Sequence, residues 1–142
     1  MKVRSKKTFL DFDKNSKDTY DLLKKKCSVP GYEPTNLDVF MFALAYGFKN
    51  KNKVDVIVKS GTGVRVEYLK PEHELLMSAI QLAETENPEI LLDQEARFLL
   101  AEKYAEGGAR LLKIVAEQPG NFLQEISGEM VELFSSISKG QL

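Results

Sequence analysis

The most hydrophobic stretch of the chain is residues 35–50, TNLDVFMFALAYGFKN. One face of a helix formed there would carry five apolar side chains at helical spacing: Leu37, Phe40, Met41, Leu44 and Phe48. The other face is almost as apolar, and a helix that is hydrophobic all round is buried on most sides. Thr35 and Asp38 favour a capped first turn. The pattern therefore predicts a central helix over 35–50 around which the rest of the chain packs.

The residues before this helix predict a strand followed by a first helix. Residues 3–12, VRSKKTFLDF, include a run of residues that favour strands. Residues 17–27 place Tyr20, Leu23 and Cys27 on one helical face, after Asn15 or Ser16 as a cap. The loop 28–34, SVPGYEP, separates the two helices.

This order of strand, helix, loop and helix resembles the outline of a ribbon–helix–helix unit, in which the strands of two chains pair and enter the major groove of DNA. In that arrangement Arg4, Lys6 and Thr8 would share one strand face. The alternative, which we favour, is a strand that joins a mixed sheet and whose lysines are solvated.

Residues 54–69, VDVIVKSGTGVRVEYL, predict a β-hairpin. Two alternating runs flank the glycines of KSGTG, which allow a tight turn. The same run is not a phosphate-binding loop, because the Lys-Ser/Thr pair is missing and no helix follows.

From Pro71 onward the spacing predicts helices. The first has a predicted buried face of Leu75, Leu76, Ala79, Ile80, Leu82 and Ala83, and ETENPE at 84–89 breaks it. Asp93 caps the next helix, which Gly107 and Gly108 interrupt or end. A last amphipathic helix would use Phe122, Ile126, Met130, Leu133 and Phe134.

These elements predict an α+β fold. It is mostly helical, with the hairpin at 54–69 and a short N-terminal strand packed on the central apolar helix. With 142 residues, the chain is expected to form a single domain over 1–142, and its size allows a proper core. Cys27 is the sole cysteine, which fits a reducing cytoplasm. The start of the chain lacks the apolar run of a signal peptide, and no stretch is long enough for a membrane span.

The charges divide unevenly along the chain. Residues 1–70 carry 15 Lys and Arg against 8 Asp and Glu, whereas residues 71–142 carry 5 against 13. One interpretation is a basic half that meets nucleic acid or an acidic partner. The other is that the two halves face each other, within one chain or between chains, and neutralise. The sequence favours neither interpretation over the other.

The inventory of catalytic side chains is small. His73 is the only histidine, HELLM lacks the second His of an HExxH motif, and no Cys/His spacing fits zinc. Cys27 lies on an apolar helical face, where a buried inert thiol is commoner than a nucleophile. We therefore expect no enzyme, no metal and no cofactor.

Two stretches resemble the small Dnd system-associated proteins. They are DVFMFALAYGFKNKNK at 38–53 and AIQLAETENPEILLDQEARFLLAEKYAEGGARLLK at 79–113. The matched features are an apolar helix ending in Gly-aromatic-Lys-Asn, an LAET-x-[ND]-PEIL segment, and a Glu-rich helix ending in a Gly pair. The family accompanies genes for DNA phosphorothioate modification and its linked restriction. The resemblance implies a cytoplasmic accessory protein of prokaryotic defence, and it transfers no active-site residue.

Together these observations predict a non-enzymatic, homo-oligomeric accessory protein of a DNA modification–restriction system, whose partners are other proteins of that system and DNA. The residues expected to touch DNA are basic and lie in the predicted N-terminal strand or in the turn after the central helix: Arg4, Lys6, Lys7, Lys49, Lys51 and Lys53. The alternative is a homo-oligomeric adaptor for protein–protein contacts with no role at nucleic acid.

Overall fold

The computed structural model describes residues 2–61 and 63–129. The α-helices are α1 (Lys17–Lys26), α2 (Asn36–Lys49), α3 (Pro71–Thr85) and α4 (Gln94–Glu117). Short 3₁₀ turns span Lys14–Ser16, Val66–Tyr68 and Pro88–Leu92, and the two strands are β1 (Phe9–Leu10) and β2 (Val64–Arg65). Residues 122–129 are also helical. The mostly helical α+β class is thus confirmed.

The central helix forms as its sequence predicts. Thr35 accepts a hydrogen bond from the backbone N–H of Asp38 at 3.2 Å, and the Asp38 carboxylate accepts one from the Thr35 N–H at 3.0 Å. This reciprocal capping box satisfies two backbone donors that a helix start otherwise leaves open. The buried face includes Phe40 and Leu44, neither of which is exposed at all.

Helix α4 crosses α2 so closely that only glycine fits at the contact. A Cβ added at Gly47 would collide with the backbone oxygen of Tyr104, and one at Gly108 would collide with that of Ala43. Gly107 likewise lies against the backbone of Asn52. The expectation that Gly107 and Gly108 interrupt or end the helix is wrong, because α4 runs unbroken through both. Their role is close packing rather than chain termination.

The predicted hairpin at 54–69 is wrong in its pairing. β2 pairs antiparallel with β1, with Phe9 opposite Arg65 and Leu10 opposite Val64. Residues 54–58 form no strand, because backbone N–H groups of this segment donate to acceptors outside the predicted hairpin. Val54 donates to the carbonyl of Lys103 at 3.0 Å, and Ile57 donates to the Asp13 carboxylate at 3.1 Å. Since β1 pairs within its own chain, the ribbon–helix–helix outline is also not adopted.

Helix α3 turns a different face inward from the one expected. Its buried residues are Met77, Ile80 and Gln81. Four of the six residues predicted to be buried are exposed instead: Leu75, Ala79, Leu82 and Ala83. Gln81 explains the orientation, because its Nε2 donates to the backbone carbonyl of Asp93 at 2.9 Å. The predicted break at 84–89 is confirmed, since α3 ends at Thr85 and Glu86 adopts a left-handed conformation with φ 56°.

The remaining helix ends agree closely with the sequence pattern. α1 ends at Lys26, one residue before Cys27. On the buried face of α1, Tyr20 stacks on Phe12, and the two ring centroids are 4.0 Å apart. Asp93 caps α4 by accepting from the backbone N–H of Ala96. Phe122 and Ile126 of the last predicted helix are buried. Its other apolar positions, Met130, Leu133 and Phe134, lie outside the described residues.

Candidate functional site

Four buried carboxylates form a row where the N-terminal segment, residues 2–16, lies along α4. Glu102 and Glu106 are one helical turn apart on α4 and therefore share a face. Asp11 and Asp13 of the N-terminal segment lie opposite them. All four side chains belong to residues that are at most 8% exposed. Buried carboxylates are stable only when hydrogen-bonded or paired with cations, so the partners of each decide what the row can do.

Glu106 is fully buried and accepts three hydrogen bonds. Its Oε1 accepts from the backbone N–H of Asp13 at 3.0 Å. Its Oε2 accepts from the Ser16 hydroxyl at 2.5 Å and from Arg110 Nε at 3.2 Å. These bonds fix the start of the first helical turn against the middle of α4.

Glu102 shares a cation with Asp11. Lys7 Nζ lies 3.2 Å from Glu102 Oε2 and 3.1 Å from Asp11 Oδ2, and the Asp11 N–H donates to the same Glu102 oxygen at 2.5 Å. Burial raises the pKa of Glu102, although Asp11 N–H and Lys7 oppose the shift. Burial alone would lower the pKa of Lys7, but its two carboxylate partners raise it above its ordinary value.

Asp13 joins the N-terminal segment to residues 57–58. Its carboxylate accepts from the backbone N–H groups of Asn15, Ile57 and Val58. The bond from Asn15 is the largest cause of its lowered pKa, and the bonds from Ile57 and Val58 act in the same direction.

A surface cavity of about 370 Å³ opens beside this row. Its lining carries three lysines and three carboxylates, together with Val56 and Leu99: Lys7, Lys59, Lys103, Asp11, Asp55 and Glu102. Lys59 Nζ lies 3.5 Å from Asp11 Oδ2, and Lys103 Nζ lies 3.8 Å from Asp55 Oδ1. Within residues 2–61 and 63–129, no group of three or more His, Cys, Asp or Glu is arranged to hold a metal ion. The row thus serves as a set of hydrogen-bond acceptors and ion-pair partners.

The burial of Glu102 and Glu106 was not predicted from the sequence, although the sequence contains a signal for it. Both fall within the apolar spacing of α4, next to the buried positions Phe98, Ala105 and Ala109. A charged residue on a helix face that is otherwise buried needs a partner. That signal indicates a buried ion pair but does not name the N-terminal residues that supply it.

Of the six basic residues predicted to touch DNA, three pair with carboxylates of the acidic half. Lys7 pairs with Glu102, Lys49 Nζ lies 3.5 Å from Glu129, and Lys53 pairs with Glu84. A fourth pair, Lys103 with Asp55, also joins the two halves. Ion pairs within one chain therefore neutralise part of the opposite charge of the two halves.

The other three predicted residues, Arg4, Lys6 and Lys51, are exposed. None of them forms an ion pair with any residue in the described part of the chain. Arg4 borders a cavity at the start of α4, beside Gln94 and Arg97. Lys51 directly follows α2 and has a left-handed backbone with φ 53°.

The two side chains considered for catalysis have structural surroundings. His73 Nδ1 accepts a hydrogen bond from the backbone N–H of Lys70 at 2.9 Å, at the start of α3. Cys27 is half-buried beside the core, and burial raises the pKa of its thiol. Because a raised pKa disfavours the thiolate, Cys27 is a poor nucleophile at neutral pH.

Among the helices that the structure describes, none combines the length and the hydropathy that a membrane crossing requires.

Comparison with known proteins identifies a family for the chain. No curated protein and no solved structure matches the chain. One family model does match, over residues 13–137, and its description is DNA sulphur modification system-associated protein 4. The match covers most of the chain and confirms the resemblance inferred from the sequence. The chain belongs to this family of DNA sulphur modification system-associated proteins.

Proposed function

We propose that the protein is a non-enzymatic, cytoplasmic accessory component of a DNA sulphur modification system and that it contacts DNA directly. Membership of the family supports the association with such a system. The hydrogen bonds of His73 and of the buried carboxylates support a binding role over a catalytic one, because these groups are engaged in holding the fold.

The observation that carries the DNA contact is that Arg4, Lys6 and Lys51 are each exposed and have no ion pair among the described residues. A cation that pairs with a carboxylate in its own chain gains less from a phosphate than a cation that does not. We therefore assign the stronger phosphate contacts to these three residues. Lys7, Lys49 and Lys53 are weaker candidates. Contacts of this kind neutralise phosphates and are tolerant of DNA sequence.

The test is fluorescence anisotropy with a labelled DNA duplex and the triple variant R4Q/K6Q/K51Q. At low salt we expect the triple variant to bind at least about tenfold more weakly than the wild type. The slope of log affinity against log salt should become shallower by up to about three, since each phosphate contact contributes roughly 0.9.

The matched control is K59Q/K103Q/K113Q, which removes the same charge from three other exposed lysines, each of which pairs with a carboxylate of its own chain. We expect it to retain affinity within about twofold of the wild type, apart from the long-range effect of net charge. Absence of binding to duplex DNA at low salt would remove the proposed contact. Equal losses in both triple variants would reduce it to a nonspecific charge effect.

A homo-oligomeric adaptor whose oppositely charged halves meet between copies stays a prediction. Among the described residues, four ion pairs already join the basic and acidic halves inside one chain: Lys7–Glu102, Lys49–Glu129, Lys53–Glu84 and Asp55–Lys103. Part of the charge of the two halves is therefore neutralised without a second copy.

A further inference from the structure

Helix α3 exposes an apolar stripe made of Leu75, Ala79, Leu82 and Ala83, which we call the α3 stripe. These residues are spaced at i, i+4, i+7 and i+8, so they form one continuous helical face. Leu75 is 70% exposed and Leu82 is 37% exposed. Apolar residues scattered singly over a surface need no explanation, but a row aligned along one helix resembles the face that a partner covers.

The inner face of α3 is anchored firmly, so the stripe is not a core face that has rotated outward. Met77 is 1% exposed and Ile80 is 3% exposed. Near the helix end, Glu84 accepts from the Tyr104 hydroxyl at 2.5 Å and pairs with Lys53. Together with the bond from Gln81 to the Asp93 carbonyl, these contacts fix the rotation of α3 about its axis.

The segment that carries the stripe is acidic, and two of its glutamates, Glu74 and Glu84, pair with Arg97 and Lys53. Residues 71–93 contain six Asp and Glu and no Lys or Arg. Glu72 and Glu86 are exposed and lie at the two ends of the same helical face, and Glu89 is exposed in the following turn. An apolar row with acidic ends is complementary to a helix that carries apolar residues at helical spacing and is flanked by Lys or Arg.

The same charges disfavour pairing of the stripe with itself. A two-fold antiparallel contact centred on Ala79 would place Glu72 of one copy opposite Glu86 of the other, and like charges in contact repel. We propose that the α3 stripe docks a basic amphipathic helix of a partner protein. No residue of the stripe is among the basic residues assigned to DNA, so the proposal does not depend on DNA binding.

The test uses the full chain and two synthetic helical peptides with identical leucine spacing. One peptide has Lys flanks and the other has Glu at every Lys position. By anisotropy or calorimetry we expect saturable binding of the Lys peptide and at least about tenfold weaker binding of the Glu peptide. Failure of the Lys peptide to bind, or equal binding of both peptides, would overturn the proposal.

Two variants locate the binding. L75S/L82S should weaken binding of the Lys peptide by at least about tenfold. The matched control L99S/I114S removes two exposed apolar residues of α4, which are 45% and 58% exposed, and should leave affinity within about twofold. All four substitutions are at exposed positions, and circular dichroism checks that each variant is folded. Equal losses in the two variants would contradict docking on α3.

A charge-reversal variant tests the chemistry of the partner. E72K/E86K should weaken binding of the Lys peptide and strengthen binding of the Glu peptide, because the complementary charge has changed sign. Light scattering tests the other possible occupant of the stripe, a second copy of this chain. A wild-type dimer that L75S/L82S converts to a monomer would show that a second copy covers the stripe, and the basic-partner proposal would be wrong.

Discussion

Two glutamates of α4 act as acceptors for backbone groups that no regular ladder satisfies. The N-terminal segment is mostly irregular, and β1 contributes only two residues to the sheet. The amides of Asp11 and Asp13 donate to Glu102 and Glu106 instead. Hydrogen bonds to charged acceptors are stronger than those between neutral groups, so side chains replace the missing strand partners at these positions.

Glu102 makes the stability of the protein depend on pH in a direction opposite to that of most paired carboxylates. Its pKa is raised above the ordinary 4.5, so the folded protein binds the Glu102 proton more tightly than the unfolded chain does. This contribution to stability is fully present below 4.5 and is lost as pH rises through the raised value. Urea denaturation should therefore show the wild type losing stability relative to E102Q as pH increases across that window.

Asp13 should affect stability in the opposite direction with pH, because its pKa is shifted the opposite way from that of Glu102. Its pKa is lowered from 3.8, so its contribution is present above that value and is lost as pH falls through the lowered value. D13N should therefore flatten the curve below 3.8, whereas E102Q changes it above 4.5. A wild type and E102Q with parallel curves above 4.5 would contradict the raised pKa of Glu102.

At the scale of elements, the glycines of α2 and α4 set how closely the two helices approach. In an isolated helix, Gly→Ala is stabilising by roughly 0.5–1 kcal/mol. Here G47A and G108A should instead each destabilise the protein by at least about 2 kcal/mol, because the new methyl group meets backbone that cannot move aside. Chemical denaturation of both variants measures the effect.

Gly128 is the matched control, since it lies in the helical residues 122–129 and a Cβ there meets no atom of the described residues within 4 Å outside its own helix backbone. G128A should leave stability unchanged or raise it by up to about 1 kcal/mol. If G47A and G108A behaved like G128A, the close crossing of α2 and α4 would be incorrect.

Elements whose signals are local could be predicted from the sequence. The capping box of α2, the Asp93 cap of α4 and the end of α3 near Glu86 all depend on residues within a few positions of each other. The prediction of a hairpin was wrong because strand pairing depends on competition between distant segments. Strand β1 pairs with β2, which is the segment that residues 54–58 would have needed as a partner. The prediction of the buried face of α3 was wrong because leucines and alanines occupy most of the helix circumference. The spacing of apolar residues alone therefore does not identify the inner side.

At the scale of the whole molecule, charge composition alone did not distinguish a DNA-binding half from internal neutralisation. The ion pairs show partial neutralisation within the chain: three of the predicted cations pair with carboxylates, and the other three have no ion pair among the described residues. Most of these pairs are partly exposed, and exposed pairs contribute about 0–1 kcal/mol each. The buried Glu102 and Glu106 contacts therefore hold the two halves together more effectively than the surface pairs.

A consequence is that the N-terminal segment should unfold together with α4 rather than lift off separately. Between Val3 and Asp13, backbone and side-chain bonds connect the segment to α4 and the turn before it, from Leu92 to Glu106. In hydrogen exchange, the buried amides of Asp11 and Asp13 should be about as protected as the core amides of α4, because both require the same opening. Exchange as fast as in the exposed loop 28–33 would contradict this coupling.

The variant E106A tests which contact produces the coupling. It removes the acceptor of the Asp13 N–H, the Ser16 hydroxyl and Arg110 Nε, and should cost on the order of 3 kcal/mol. Exchange at Asp13 should then accelerate more than exchange at core amides of α4. In the control E117A, the lost partner is Lys113 on an exposed helix face, and the expected change is within about 0.5 kcal/mol. Uniform acceleration in E106A would mean that it lowers global stability alone, whereas a selective loss at Asp13 would identify Glu106 as the residue that holds the N-terminal segment on α4.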